Sequence, residues 1–321
     1  MRNLMLLCAA LAAATSLGYA AGAQEGPRRT LKPGQVARVG EQVITAEQLI
    51  QRMVESERMM GRPAGVQGVL DVLTAEAMLH AEAARIEADL KPREIQSEVD
   101  RLVAEARQQF EEEARKLADQ QSEAGAKPVE LKWEDWLEKH TGLTEQEFLG
   151  LLRIKVRNDL TKKLVIWYWF ESSATLDLGL VRCAKKETAQ TVRQQAARGA
   201  NFATLAAAHS DHPSARHSTP GRIAQVIEGD GTLLPAIDKA VWKLKDGEVS
   251  VAIETDEGWY VVKRERSTPP NEARFFDLRE SLLKKANVND NMLERWRNAI
   301  ARSNRYTWER RVPGLDCEAD E

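Results

Sequence analysis

Three of the chain's five histidines fall in one short stretch, His209-Ser-Asp-His-Pro-Ser-Ala-Arg-His217. His209 and His212 have the H-x-x-H spacing that reaches one ion from a helix turn or a loop, with Asp211 between them. Imidazole ligands need fixed ring geometry and hydrogen-bonded support. Pro213 and Pro220 interrupt this segment, so no metal is assigned to it. Ser210-Asp211-His212 has the letters of a hydrolytic triad. Nucleophile, base and orienting group converge from separate parts of a fold, and three adjacent side chains do not line up that way. His212 therefore stays open between a solvated loop histidine and a site residue. Cys8, Cys183 and Cys317 are too far apart in sequence for a zinc site built from cysteine pairs. Three cysteines also exclude a disulfide-stapled scaffold. The chain lacks a G-x-x-x-x-G-K-[ST] phosphate loop.

The elements around this stretch have readable signals. Leu178–Cys183, Arg222–Val226, Ser250–Glu254 and Trp259–Arg264 read as short strands. Glu187–Ala197 and Phe202–His209 read as helices between the first two, and Leu234–Lys243 as a helix before the third. Strands separated by helices and closed by two adjacent strands make an α+β module with an antiparallel hairpin. Before it lies a helical region. Val36–Ile44 alternates and turns at Gly40, which predicts a small hairpin. Thr45-Ala-Glu-Gln48 and Thr144-Glu-Gln-Glu147 are capping boxes, each opening a helix. Val69–Ile86 predicts a second helix, and a third starts near Pro92 with Ile95, Val99, Leu102, Ala106 and Phe110 on one side. Glu111-Glu-Glu113 reads as a solvated face. Val165-Ile-Trp-Tyr-Trp-Phe170 is a dense aromatic patch. Packing between helices explains it best, because aromatics dominate core burial; a surface for unfolded polypeptide is the sharper reading. Glu272–Ser303 is helical again, and Tyr306 and Trp308 suggest a short strand.

The whole sequence has 321 residues, 43% hydrophobic and 30% charged, which suits about two domains. A net charge of -3 provides no overall Lys/Arg excess for phosphates, so no nucleic-acid partner is expected. At the N-terminus Arg2 precedes the charge-free run Leu4–Leu17 and then Ala21-Gly-Ala23. That order is a signal peptide's, and the run is shorter than the roughly 20 residues of a membrane span. Cys8 sits inside the run and not at its end, which argues against lipoprotein cleavage. The expectation is an exported protein of the periplasm or cell envelope, with no transmembrane segment after signal cleavage.

The stretch Ala189–Lys263 resembles the parvulin family of peptidyl-prolyl isomerases. The likeness rests on Gly199-Ala-Asn-Phe-Ala-Thr-Leu-Ala206, His209-Ser-Asp-His-Pro-Ser-Ala215, Asp246-Gly-Glu-Val-Ser250 and Thr255-Asp-Glu-Gly-Trp-Tyr-Val-Val-Lys263, in that order. Val36–Leu49 and Leu70–Leu79 resemble the arm of exported chaperones of the SurA and PrsA type. The resemblance implies a signal peptide at 1–23 and a helical chaperone arm at 24–175. It implies a parvulin-like domain at 176–266, and a C-terminal helix and tail at 267–321 packing on the arm. The implied fold is α+β, with a four-stranded antiparallel sheet wrapped by helices and a proline groove on one face. The implied reaction is rotation about an X-Pro amide, with unfolded or proline-containing polypeptides as clients. Peptide-bond rotation has a barrier of about 18–20 kcal/mol. No bond breaks, so the reaction requires neither metal nor cofactor.

The polar half of the implied site departs from the family. Leu180 and Tyr260 stand where family members commonly carry histidines, His212 where they carry Cys or Asp, and Glu257 at a hydroxyl position. The family's glycine-rich turn has become Thr219-Pro-Gly-Arg-Ile-Ala224. Ile223, Leu233 and Ile237 match the apolar ring-binding positions. The resemblance thus gives His212 and Tyr260 as catalytic residues and Ile223, Leu233 and Ile237 as the proline seat. Two functions stay open. One is an exported isomerase with a degenerate catalytic network; the other is a holding chaperone or assembly scaffold that keeps the fold. With an ordinary histidine pKa of about 6.5, His212 would make residual activity change between about pH 5.5 and 8. The signal-peptide pattern predicts a mature N-terminus at Gln24, checked by the intact mass of protein secreted from its native host. A mature species retaining Met1–Ala23 would refute it.

Overall fold

The computed structural model describes residues 31–60, 63, 65–123, 130–303, 306 and 308–310. The predicted signal peptide lies outside them, as do Cys8 and Cys317. Cys183 is buried with a free thiol. Two compact units form. The first runs to Val165 and takes back a short strand from the chain's end; the second is Ile166–Tyr306.

The first unit opens with the hairpin β1 (Gln35–Val39) and β2 (Gln42–Thr45), and β7 (Trp308–Arg310) pairs antiparallel on the far side of β1. Helix α1 (Ala46–Met60) starts at the predicted capping box. Thr45 N–H donates to Gln48 Oε1 at 2.9 Å, and Gln48 N–H donates back to Thr45 Oγ1 at 3.2 Å. Leu49 of α1 and Val69 and Leu70 of α2 (Val66–Arg85) bury against Val36, Ala37 and Ile44. Helices α3 (Pro92–Glu123), α4 (Trp133–Thr141) and α5 (Glu145–Ser172) build a second core. Phe110, Trp133 and Trp136 pack ring to ring in it. The Glu111–Glu113 run is not wholly solvated: Glu113 accepts the buried Trp136 indole N–H at 2.8 Å. A buried indole needs such a partner, and the nearest α3 carboxylate supplies it.

The second unit holds the predicted four-stranded antiparallel sheet. Its order is β4 (Arg222–Val226), β3 (Thr175–Cys183), β6 (Gly258–Thr268), β5 (Ile253–Thr255). The expected strand at Ser250–Glu254 begins later because Ser250 replaces a rung of the ladder. Its N–H donates to Val262 O at 2.8 Å, while its hydroxyl oxygen accepts from Val262 N at 3.0 Å. Helices α6 (Lys186–Ala197) and α7 (Phe202–His209) cover one face, and α8 (Pro235–Val241) covers the other.

Helices α9 (Phe275–Lys284) and α10 (Asp290–Arg302) fall in this sheet unit, whereas the sequence placed them on the arm. The aromatic patch is the reason. Tyr168 meets Phe275 edge-on with centroids 5.6 Å apart, Trp167 Nε1 donates to Ala286 O, and Arg295 lies over Phe170. The boundary between the two compact units falls at 165/166. Arg295 also bonds Asp230 at 2.7 Å, and that carboxylate is 1% exposed. Removing one partner of such a buried pair costs about 3–5 kcal/mol.

Gly221 fixes the loop that carries His212. Its N–H donates to Ser214 O at 2.9 Å and its carbonyl accepts from Leu180 N at 2.8 Å. Its φ is +75°, and an added Cβ would lie 2.6 Å from Ala206 Cβ and 2.7 Å from Leu180 O. Gly221→Ala should therefore destabilise the folded state by about 2–4 kcal/mol, from left-handed strain plus overpacking. Denaturant unfolding would measure this; a loss within about 0.5 kcal/mol, the range of surface substitutions, would refute it.

Candidate functional site

Side chains of a strand alternate between faces, and β3 uses both. Val181 and Cys183 point to α6 and α7, where Ala189, Val192, Phe202, Leu205 and Ala206 bury them. Gly179 faces the same way, since a Cβ there would meet the Phe202 ring at 2.5 Å. Leu176, Leu178 and Leu180 face α8, beside Tyr260 and Val262 of β6. Leu233 and Ile237 cap this cluster and Ile223 packs at its margin. All three expected seat residues thus share one apolar cluster with Tyr260. Their exposure differs. Ile237 is 1% and Leu233 6% exposed, so they form the wall, while Ile223 is only half-buried.

His212 reaches the same place from the loop. Its ring lies edge-on to Tyr260, centroids 6.4 Å apart. It also caps the short 3-10 helix Pro213–Arg216, its Nδ1 accepting from Ser214 N–H at 3.2 Å and lying 2.8 Å from Ser214 Oγ. His209 and His217 do not join it, and no cluster of three metal-ligating side chains occurs among the described residues. Burial lowers the His212 pKa, and the Arg182 guanidinium lowers it further. Any pH-sensitive range set by His212 thus moves to the acid side of the interval expected from an ordinary histidine.

Tyr260 is buried, and its hydroxyl donates to Glu257 Oε2 at 2.8 Å. Arg182 joins these groups, its Nη1 3.2 Å from the same Glu257 oxygen. Its Nε donates to Asp211 Oδ1 at 2.5 Å and its Nη2 to Asp211 O at 3.1 Å. The Asp211 hydrogen bond raises the guanidinium pKa. Burial, then the Glu257 bond, raises the Tyr260 phenol. Backbone contacts hold the loop to the strand: Asp211 N–H donates to Arg182 O, while Ser210 Oγ accepts from both Arg182 N and His212 N. Leu180, at one expected histidine position, is 1% exposed and contributes only apolar surface.

Arg182 and Ser214 are absent from the expected site. Arg182 follows Leu180 by two residues, which puts it on the groove face, but only the β3–β6 register sets it opposite Tyr260. Ser214 had a local signal, because the N–H two residues after a polar side chain at the start of a helical turn is a common target of that side chain's cap.

Residues 181–266 match the family model of the PPIC-type PPIase domain. A foldase protein PrsA of Clostridium acetobutylicum is 26% identical over 213 residues, 63% of this chain and 62% of that protein. The Bacillus subtilis foldase protein PrsA is 29% identical over 161 residues, 48% of this chain and 54% of its own length. The chain thus spans between about half and somewhat under two thirds of these curated relatives. Among solved structures, peptidylprolyl isomerase PrsA of Bacillus anthracis superposes with a TM-score of 0.33 at 15% identity, over 72% of this chain and 89% of that one. Residues 181–266, with the four-stranded sheet and its covering helices described above, are a parvulin-type peptidyl-prolyl isomerase domain.

Proposed function

We propose that this chain is an exported peptidyl-prolyl isomerase and folding factor for unfolded, proline-containing polypeptides, with a depleted polar network. One observation carries the reading. Ile223, Leu233, Ile237 and Tyr260 belong to one apolar cluster on the groove face, with the His212 ring at its edge. The proline ring rests on Ile223 in front of the Leu233–Ile237 wall, and His212 and Tyr260 are the polar groups beside the amide. The relatives' designation as foldases supports the client class. The N-terminal signal pattern supports export to the periplasm or cell envelope. No helix among the described residues is long and apolar enough to cross a membrane.

Rotation is accelerated only by contacts stronger in the twisted amide than in either planar isomer. An apolar seat grips all three about equally. Preorganised polar groups supply the difference, and two of the family's are replaced here by Leu180 and Tyr260. Turnover should therefore fall well below that of an ordinary parvulin. A second reading, a holding chaperone or scaffold that keeps the fold, draws on the Tyr260 hydroxyl being committed to Glu257.

A protease-free isomerisation assay on Ala-Xaa-Pro-Phe peptides separates the two. The expected result is slow but measurable catalysis by wild type, reduced by both His212→Ala and Tyr260→Phe. A wild-type rate equal to the uncatalysed one establishes the second reading. Family-level turnover that neither substitution changes would show the site to lie elsewhere.

A further inference from the structure

The His212 ring has two nitrogens with unequal surroundings. Nδ1 accepts the Ser214 backbone N–H at 3.2 Å and faces Ser214 Oγ at 2.8 Å. Ser214 is 1% exposed, so water does not compete for that bond. A ring nitrogen that accepts an N–H carries no hydrogen of its own, and in a neutral imidazole the hydrogen is then on the other nitrogen. Nε2 has no hydrogen-bond partner among the described residues. Protonating Nδ1 would turn two donors on each other and break the cap that starts the Pro213–Arg216 turn.

The charges around the ring act on the same choice. Arg182 of β3 and His217 of the loop disfavour a second proton; Glu257 before β6 and Asp211 of the loop favour one. The Tyr260 ring of β6 lies at 68° to the His212 ring, its hydroxyl spent on Glu257. Arg182 sits between Asp211 and Glu257 and bonds both, which offsets the two carboxylates at once.

We propose that Ser214 and Arg182 are positioning residues that hold His212 as its Nε2–H tautomer, a fixed hydrogen-bond donor beside the proline seat. The role of that donor rests on the isomerase reading; the tautomer does not. The N–H meets the oxygen or the pyramidalising nitrogen of the twisting amide. It takes up part of the work of the histidines that Leu180 and Tyr260 replace.

The test is long-range proton–nitrogen NMR on the full chain labelled with nitrogen-15 histidine, His212 being assigned with His212→Gln. The expected pattern is an Nε2–H tautomer with a midpoint below the ordinary histidine value of about 6.5. Arg182→Gln should raise that midpoint and Glu257→Gln should lower it, a pair of opposite signs that general loosening of the fold does not produce. If Arg182→Gln does not fold, Arg182→Lys should keep the midpoint low and Glu257→Gln alone still reads the sign. In the peptide assay, His212→Gln, which retains an N–H donor, should recover part of the turnover lost in His212→Ala with little change in KM. An Nδ1–H tautomer, or a midpoint at or above 6.5 that Arg182→Gln leaves in place, overturns the proposal whatever the turnover. The expected tautomer and midpoints in a protein without isomerase activity would uphold the positioning and overturn the isomerase reading instead.

Discussion

Everything in the sheet unit depends on the two-sided burial of β3. It lies between β4 and β6, so its backbone groups are paired on both edges. Its side chains must then satisfy two different neighbours in strict alternation. Leu176, Leu178 and Leu180 serve the groove face; Gly179, Val181 and Cys183 serve the helix face. A slip of one residue would exchange these sets and drive Arg182 into the helix layer. The register is also anchored from outside the sheet, since Gly221 O accepts from Leu180 N and Asp211 N donates to Arg182 O. The strand that forms the core thereby fixes the loop that carries the polar groups.

Much of this was legible beforehand, and the failures have a common cause. Arg222–Val226 and Phe202–His209 occupy the spans predicted for them, because turn residues and helix caps are local signals. Both capping boxes form their reciprocal bonds, as at Thr144 and Glu147, where the two N–H donors are satisfied at 2.9 and 3.3 Å. What escaped was set by pairing across distance. Arg182 becomes a site residue only through its register opposite Tyr260. The placement of α9 and α10 followed from Tyr168–Phe275 and Asp230–Arg295, contacts between segments 107 and 65 residues apart. An aromatic run such as Trp167–Phe170 shows that something packs there but not what does. Ile223, Leu233 and Ile237, expected together from the sequence, do meet in one apolar cluster, but how much of it a ligand can reach depends on packing depth, which residue types do not encode.

The site also shows how one buried polar group constrains the next. A buried tyrosine brings a hydroxyl that must find a partner. Glu257, at the end of the β5–β6 turn, accepts it. A carboxylate beside an apolar groove needs a counter-charge, and Arg182 provides it from the facing strand. The guanidinium has donors left over, and Asp211 takes them with both a side-chain and a main-chain oxygen. Tyr260, Glu257, Arg182 and Asp211 therefore work as one set of charge-assisted bonds, which are stronger than neutral ones and hold their members in place. All four residues are engaged within this set and so are poor partners for a substrate.

That accounting leaves His212 as the group whose bonding is incomplete in a useful direction. Its Nδ1 is spent on the Ser214 cap and its ring is braced against Tyr260, which fixes the plane of the imidazole. A donor held in place before the substrate arrives incurs no reorganisation as the amide twists, and this preorganisation is what makes polar groups effective in a site sheltered from water. On the proposed reading, this donor beside the Leu233 and Ile237 wall is the polar group that meets the amide. Burial, and then the same arginine that secures the loop, lower the ring's pKa. Any change in the ring's charge is thereby moved to the acid side of the range in which an ordinary histidine titrates.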